Sequence, residues 1–215
     1  MTSSALCKWR PGATARLRSD MVRSRAMFTR RAFVLAAMVL TLSSLAGAGS
    51  VQVPFSVQAD LIAKIASFDR NFSERAGARA LVLVMQMPND AESAAAALEL
   101  KNALSHVPSV GDRPHEEQIV TYGGSTALAE MIRSRKPATI YFGPGFGKEL
   151  TAIRNSTSNV SLLTVGAAPE YVESGIVLGF DLVSGRPKLL INLSQARKQR
   201  VDFPASVLRL MKIYP

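Results

Sequence analysis

Residues 118–142, QIVTYGGSTALAEMIRSRKPATIYF, decide the fold. QIVTY (118–122) and ATIYF (138–142) read as short strands, and STALAEMIRSRK (125–136) between them reads as a helix begun by Ser125. Two strands separated by one helix are joined by a crossover, which makes them parallel strands of one sheet. The alternation continues on both sides. Upstream, ALVLVMQM (80–87) is an unbroken apolar run bounded by Gly77 and Pro88, as expected of a strand covered on both faces. The helix NDAESAAAALELKNALSHV follows it, with Asn89 placed to cap and Glu92 completing a capping box. Further upstream, VPFSVQADLIAKIASFDRNF carries Leu61, Ile62, Ile65, Phe68 and Phe72 at helical spacing. Downstream, GKELTAIRN reads as a helix and VSLLTV (160–165) as a strand.

This order predicts an α/β, three-layer sandwich: a mainly parallel sheet, right-handed crossovers and helices on both faces. The end of the chain departs from the pattern. GIVLGFDLVSGRPKLLINL holds two strands joined by Ser184-Gly185-Arg186-Pro187, too short for a crossover, so an antiparallel C-terminal hairpin is expected. A short basic helix, a break at Pro204 and a last helix with Val207, Leu208 and Met211 on one face complete the reading.

The formal charge of +10 would suit a nucleic-acid binder until it is located. Residues 1–32 hold Lys8, Arg10, Arg16, Arg18, Arg23, Arg25, Arg30 and Arg31 against Asp20 alone. The stretch TRRAFVLAAMVLTLSSLAGAGS then has a positive head, an apolar run from Ala32 to about Leu45 and the A-x-A exit Ala46-Gly47-Ala48. The run is shorter than the roughly 20 apolar residues of a membrane span, which points to a cleaved export signal. Arg30-Arg31 before it suits a twin-arginine or a general secretory route. Met27 would start a signal of usual length, which would leave residues 1–26 untranslated. The expected organisation is a leader and signal over residues 1–48 and a single domain over 49–215, located in the periplasm. Cys7 is the only cysteine, so the mature domain would have no disulfide and no thiolate chemistry.

Candidate chemistry is sparse. YFGPGFGK (141–148) has the strand-to-helix context of a phosphate-binding loop. Only three residues separate Gly143 from Gly147, however, and Glu149 stands where a hydroxyl should hold Mg²⁺. Pro144 removes one N–H from the loop. A turn with positive-φ glycines explains it better than a nucleotide site. His106 and His115 lack metal-site spacing and read as loop residues, and GGSTA (123–127) ends in Ala127 where a nucleophile elbow needs glycine. The acids sit in polar surroundings except Asp181, and the cluster Arg197, Lys198 and Arg200 reads as a solvated helix face. No catalytic residue, metal site, cofactor or nucleic-acid partner is expected. A ligand crevice in such a sheet lies beyond the carboxyl ends of the parallel strands, which places Gln86, Gly143, Pro144, Gly145, Phe146 and Gly166 near it.

The stretches FSVQADLIAKIASFDRNF, ATIYFG and LLTVGAAPEYVESGIVLGFDLVSGRPKLLINLSQARKQRVDFPASVLRLMKIY resemble the YfiR-like family of exported bacterial regulatory domains. The resemblance implies an α/β sandwich, often dimeric, that controls an inner-membrane signalling protein, a diguanylate cyclase or a histidine kinase, through its periplasmic domain. It implies protein contact tuned by a small ligand of unknown identity, and a possible homodimer. The thiol sensing of the family does not carry over to a cysteine-free domain. The alternative is an exported solute-binding or carrier component, with an enzyme third.

Overall fold

The computed structural model describes residues 52–215, which fall in one compact unit; the expected leader and export signal lie outside them. In chain order the elements are α1 (Phe55–Ala66), α2 (Phe72–Ala76), β1 (Ala80–Gln86), α3 (Ala91–Ser105), β2 (His115–Thr121), α4 (Ser125–Arg135), β3 (Thr139–Phe142) and α5 (Leu150–Thr157). There follow β4 (Leu163–Gly166), α6 (Pro169–Glu173), β5 (Leu178–Val183), β6 (Arg186–Asn192), α7 (Leu193–Lys198), α8 (Ala205–Leu208) and β7 (Lys212–Tyr214). The seven-stranded sheet has the order β2-β1-β3-β4-β5-β6-β7. β1 to β5 pair in parallel, β5 and β6 form the expected antiparallel hairpin, and β7 returns parallel to β6.

Two cores lie on opposite faces of the sheet because side chains alternate along each strand. On one face Val82, Val84, Tyr141, Leu163 and Val165 pack against α1 and α3 through Ala59, Ile62, Ala97, Leu100 and Leu104. On the other, Leu83, Met85, Ile140 and Phe142 meet Leu128, Ile132, Leu150, Ile153 and Tyr171 from α4, α5 and α6. Covering both faces explains why 80–87 is a continuous apolar run; each fully buried Leu or Ile contributes roughly 1.5–3 kcal/mol against exposure.

Several local expectations are corrected. Asp90, not Asn89, caps α3: its carboxylate accepts from the Ser93 N–H (3.0 Å), while Asn89 occupies a left-handed conformation with φ of 57°. Ser125 is the first residue inside α4, and Gly124 holds the cap position without a side-chain bond. The first amphipathic stretch breaks into α1 and α2 because the chain turns at 67–71 to bury Asp69. β2 begins at His115, three residues before the apolar run that betrays it, so His115 is a strand residue and not a loop one. After the one-turn α8 the chain extends into β7, where sequence spacing suggests a longer helix.

The C-terminal segment is fastened by buried polar groups. Asp69 accepts from the N–H groups of Asn71 (3.2 Å) and Asp202 (2.9 Å), and its other oxygen pairs with the Arg75 guanidinium at 2.8 Å. Both side chains of that pair are essentially inaccessible. Arg75 and Asn71 also donate to the Arg200 carbonyl at 3.1 and 2.9 Å. Further in, the wholly buried Gln199 amide donates to Thr157 Oγ1 and accepts from Thr164 Oγ1, both at 3.1 Å. Asn192 caps α7 by accepting from the Gln195 N–H (2.8 Å) and donates to the Val172 carbonyl (3.0 Å).

Candidate functional site

In the strand order 2-1-3-4-5 the crossover after β1 runs to one side, to β2, and the crossover after β3 to the other, to β4, which makes the loops after β1 and β3 a topological switch point. These loops touch: a Cβ built on Gly145, whose φ is 94°, would sit 2.7 Å from Asp90 Oδ2 and 3.2 Å from Met87 Cγ. Only glycine fits there, on both steric and conformational grounds. Beside this contact, at the carboxyl ends of β3, β4 and β5, opens a cleft of ≈ 350 Å³. Its walls include Pro144, Gly145, Tyr171, Phe180, Glu170 and Asp181.

The cleft is apolar in body and negative at its rim. Glu92, Glu170 and Asp181 line it, and no lysine or arginine does. The field therefore opposes an anion in the cleft. The start of α5 agrees, because Glu149 occupies its cap position and takes a hydrogen bond from the Tyr122 hydroxyl (3.2 Å). Burial first, and then the Glu149 carboxylate, push Tyr122 up to about 12. At the cleft floor the Tyr171 hydroxyl accepts the Phe146 N–H at 2.9 Å. Burial raises the Tyr171 pKa, opposed by that N–H and aided by Glu170 and Asp90, so the ring keeps a neutral hydroxyl at ordinary pH.

The residues expected near the crevice are divided by the structure. Pro144 and Gly145 line the cleft. Gly166 ends β4 behind it, where an added Cβ would lie 2.8 Å from Tyr171 Cβ; glycine lets the tyrosine close over the strand. Gly143 backs onto the Met85 carbonyl and Ser93. Gln86 borders a separate shallow depression with Met87, Asn89 and Ala94, and its amide donates to Thr121 Oγ1 (3.1 Å). Phe146 is fully buried, edge-on to Tyr122 and Phe142 with centroids at 5.5 and 5.4 Å, so it supports the loop from the core and does not face the crevice.

Tyr171, Glu170 and Phe180 were missed by sequence reasoning. The signal was present in APEYVE: Pro169 directly after an apolar strand marks the first turn of a helix at a carboxyl-end loop. Asp181, singled out for its apolar neighbours, does reach the cleft rim, with Oδ1 accepting from the Leu182 N–H (2.8 Å). The histidines are occupied elsewhere by backbone carbonyls: His106 Nδ1 by Asn102 (2.6 Å) and His115 Nε2 by Val107 (2.8 Å). Among the described residues no group of three or more His, Cys, Asp or Glu side chains is placed to hold a metal ion, and no helix is long and apolar enough to cross a membrane.

A family profile described as YfiR/HmsC-like matches residues 55–212, nearly the whole described domain. No curated protein matches the chain. Among solved structures, the fold is similar to a conserved domain protein from Vibrio cholerae, with a TM-score of 0.53, 18% identity, and 74% of this chain covering 60% of that one. It is equally similar to an ABC domain from Streptococcus pneumonia solved in complex with L-Trp: TM-score 0.53, 14% identity, 75% of this chain and 60% of that one. The chain thus spans about 60% of the length of both. At such identities the likeness is one of fold.

Proposed function

The chain belongs to the YfiR/HmsC-like family, and from that premise we propose that it is a periplasmic regulatory binding module of the cyclic di-GMP signalling type. It acts by protein contact on an inner-membrane signalling protein with a periplasmic domain, a diguanylate cyclase or a histidine kinase. The observation that carries this reading is the extent of the family match, which runs from the first helix to the last strand. The physical mechanism is differential binding: the partner is held in whichever conformation the module binds more tightly. A small ligand in the cleft tunes that contact. Pro144 and Gly145 touch the ligand, Gly143 and Gly166 allow the surrounding backbone to close, Phe146 holds the loop from beneath, and Gln86 lies in the separate depression on the other side of the loop after β1.

The test is co-purification of the exported protein with crosslinked membrane proteins, combined with cellular cyclic di-GMP in cells with and without the gene. Capture of a membrane cyclase or kinase supports the reading. A clean failure of capture, with cyclic di-GMP unchanged on deletion, overturns it. The second reading, an exported solute-binding component, is favoured by the open cleft at the strand ends. A ligand at 100 times its Kd should stabilise the fold by about 2.7 kcal/mol. Such a shift with a nutrient, in a protein that captures no membrane partner, would promote uptake over regulation.

A further inference from the structure

The cleft at the strand ends gathers carboxylates that the fold leaves without cations. Glu92 and Glu170 lie in the first turns of α3 and α6, where the helix field favours an acid. Asp181 has no such reason: it stands on β5 between Phe180 and Leu182, in a strand, which suits aspartate poorly. All three nonetheless reach one opening of ≈ 350 Å³. The ion pairs among the described residues are Arg70–Asp202, Arg75–Asp69 and His115–Glu117, so none of the three rim acids has a cation of its own. Lys188 faces Asp181 across the β5–β6 pair without forming an ion pair with it, and Lys212 lies over the Tyr214 ring, its ammonium 4.9 Å from the centroid.

A second group in the cleft is incomplete. Tyr171 is only 4% exposed and lines the cleft floor. Its hydroxyl oxygen accepts the Phe146 N–H (2.9 Å), but the hydroxyl proton has no acceptor among the described residues. A buried hydroxyl ordinarily donates as well as accepts, so the floor offers a hydrogen bond to an incoming oxygen. Between floor and rim the walls are apolar, formed by Pro144, Ala168, Pro169, Phe180 and Leu182.

Resting on the reading that a small ligand in this cleft tunes the module, we propose that the ligand is an organic cation: a protonated amine on an apolar body, with an oxygen that accepts the Tyr171 proton. The ammonium sits among Glu92, Glu170 and Asp181, whose field draws in a cation and repels a carboxylate or phosphate. The apolar body covers the walls beside Phe180 and Leu182, and by displacing water it strengthens the charge interaction at the rim. Ligand pockets run from roughly 300 to 1,000 Å³, and a cleft of ≈ 350 Å³ suits an amine of amino-acid size. Nucleotides, phosphorylated metabolites and simple carboxylic acids carry the wrong charge for this rim.

The probe is L-leucinamide, which combines the ammonium, the carbonyl oxygen and the apolar body. It is titrated into the purified, isotope-labelled protein at about pH 6, where an α-amine with a pKa of about 7.7–8.0 is protonated. Amide resonance shifts should cluster at Gly145, Ala168, Phe180 and Asp181. L-Leucine, which adds a carboxylate, and N-acetyl-L-leucinamide, which has no charge, should each bind about tenfold more weakly. 3-Methylbutylamine lacks the oxygen and should lose about fivefold. Glu170→Gln and Asp181→Asn each remove a rim charge outside the core, so the circular dichroism spectrum should be unchanged while leucinamide affinity falls about threefold in each and further in the double variant. Leucine or the acetylated amide bound as tightly as leucinamide, shifts away from the cleft, no binding by either amine, or an affinity unmoved in the double variant would overturn the assignment. 3-Methylbutylamine as tight as leucinamide would overturn the Tyr171 contact. All of this is read on the protein alone, so its failure is distinct from failure of membrane capture or of the cyclic di-GMP response, which test the regulatory reading.

Discussion

Asp69 is the residue whose role the sequence conceals most. In FDRNFSER it sits among charges and reads as part of a solvated helix face, yet it accepts two backbone N–H groups and a buried guanidinium. Spacing along one helix cannot reveal it, because one of its partners, Asp202, comes from the far end of the chain. Removing one member of a buried ion pair leaves the other uncompensated, so Asp69→Ala should cost about 3–5 kcal/mol, read as a lower urea midpoint with an unchanged slope. Asp69→Asn keeps an oxygen for the two backbone donors and should cost less. Tyr122 offers a second test at this scale. Its folded pKa of about 12 lies above the ordinary 10.0, so the stability this gives is fully present below pH 10 and is lost as pH rises toward 12. Glu149→Gln removes the charge and leaves the burial. Phenolate absorbance should then show Tyr122 titrating lower than in the wild type but still above 10.0.

Elements with a single strong period were the legible ones. β1, β3 and β4, α3 to α5 and the β5–β6 hairpin all stand where apolar runs, helical spacing and the Ser-Gly-Arg-Pro turn indicate. The misses share a physical cause, which is that tertiary contacts outweigh local pattern in short segments. β2 recruits the polar residues His115 to Gln118 because β1 offers a full ladder, and β7 forms because β6 presents an open edge after the α8 turn. The segment SQARKQRVD, among the most specific carriers of the family resemblance, proves to be a fastening element. Gln195, Gln199 and Asp202 engage Ser158, Thr157, Thr164 and Asp69 across the fold. Gln199→Ala removes two buried side-chain hydrogen bonds; Thr157 still donates to the Ile153 carbonyl, so the main cost, roughly 1–3 kcal/mol, falls on the Thr164 hydroxyl proton, which loses its acceptor. Amide exchange should quicken first in residues 199–214 and β4, with the β1–β2 ladder protected longest; uniform loss of protection would mean the segment is not a separable unit.

At the scale of the molecule, the layered α/β plan and the position of the crevice were both legible, because strand order and crossover handedness dictate where loops gather. The character of the crevice was not. Its acidic rim combines Glu92 from α3, Glu170 from α6 and Asp181 from β5, three different elements that converge only after folding. This bears on how a cleft ligand could tune a protein contact. If the ligand changes affinity for the signalling partner by some factor, the partner must change affinity for the ligand by the same factor. Glu170→Lys reverses one rim charge on an exposed side chain and should cost only about 0.3–1 kcal/mol of stability, by placing a cation at a helix start. In a ligand-tuned regulator, titrating the partner with and without ligand yields matched factors for the wild type, and Glu170→Lys shrinks the coupling while leaving ligand-free partner affinity in place. Loss of partner affinity without ligand would instead put the rim inside the protein interface. An unchanged coupling would exclude this cleft as the tuning site.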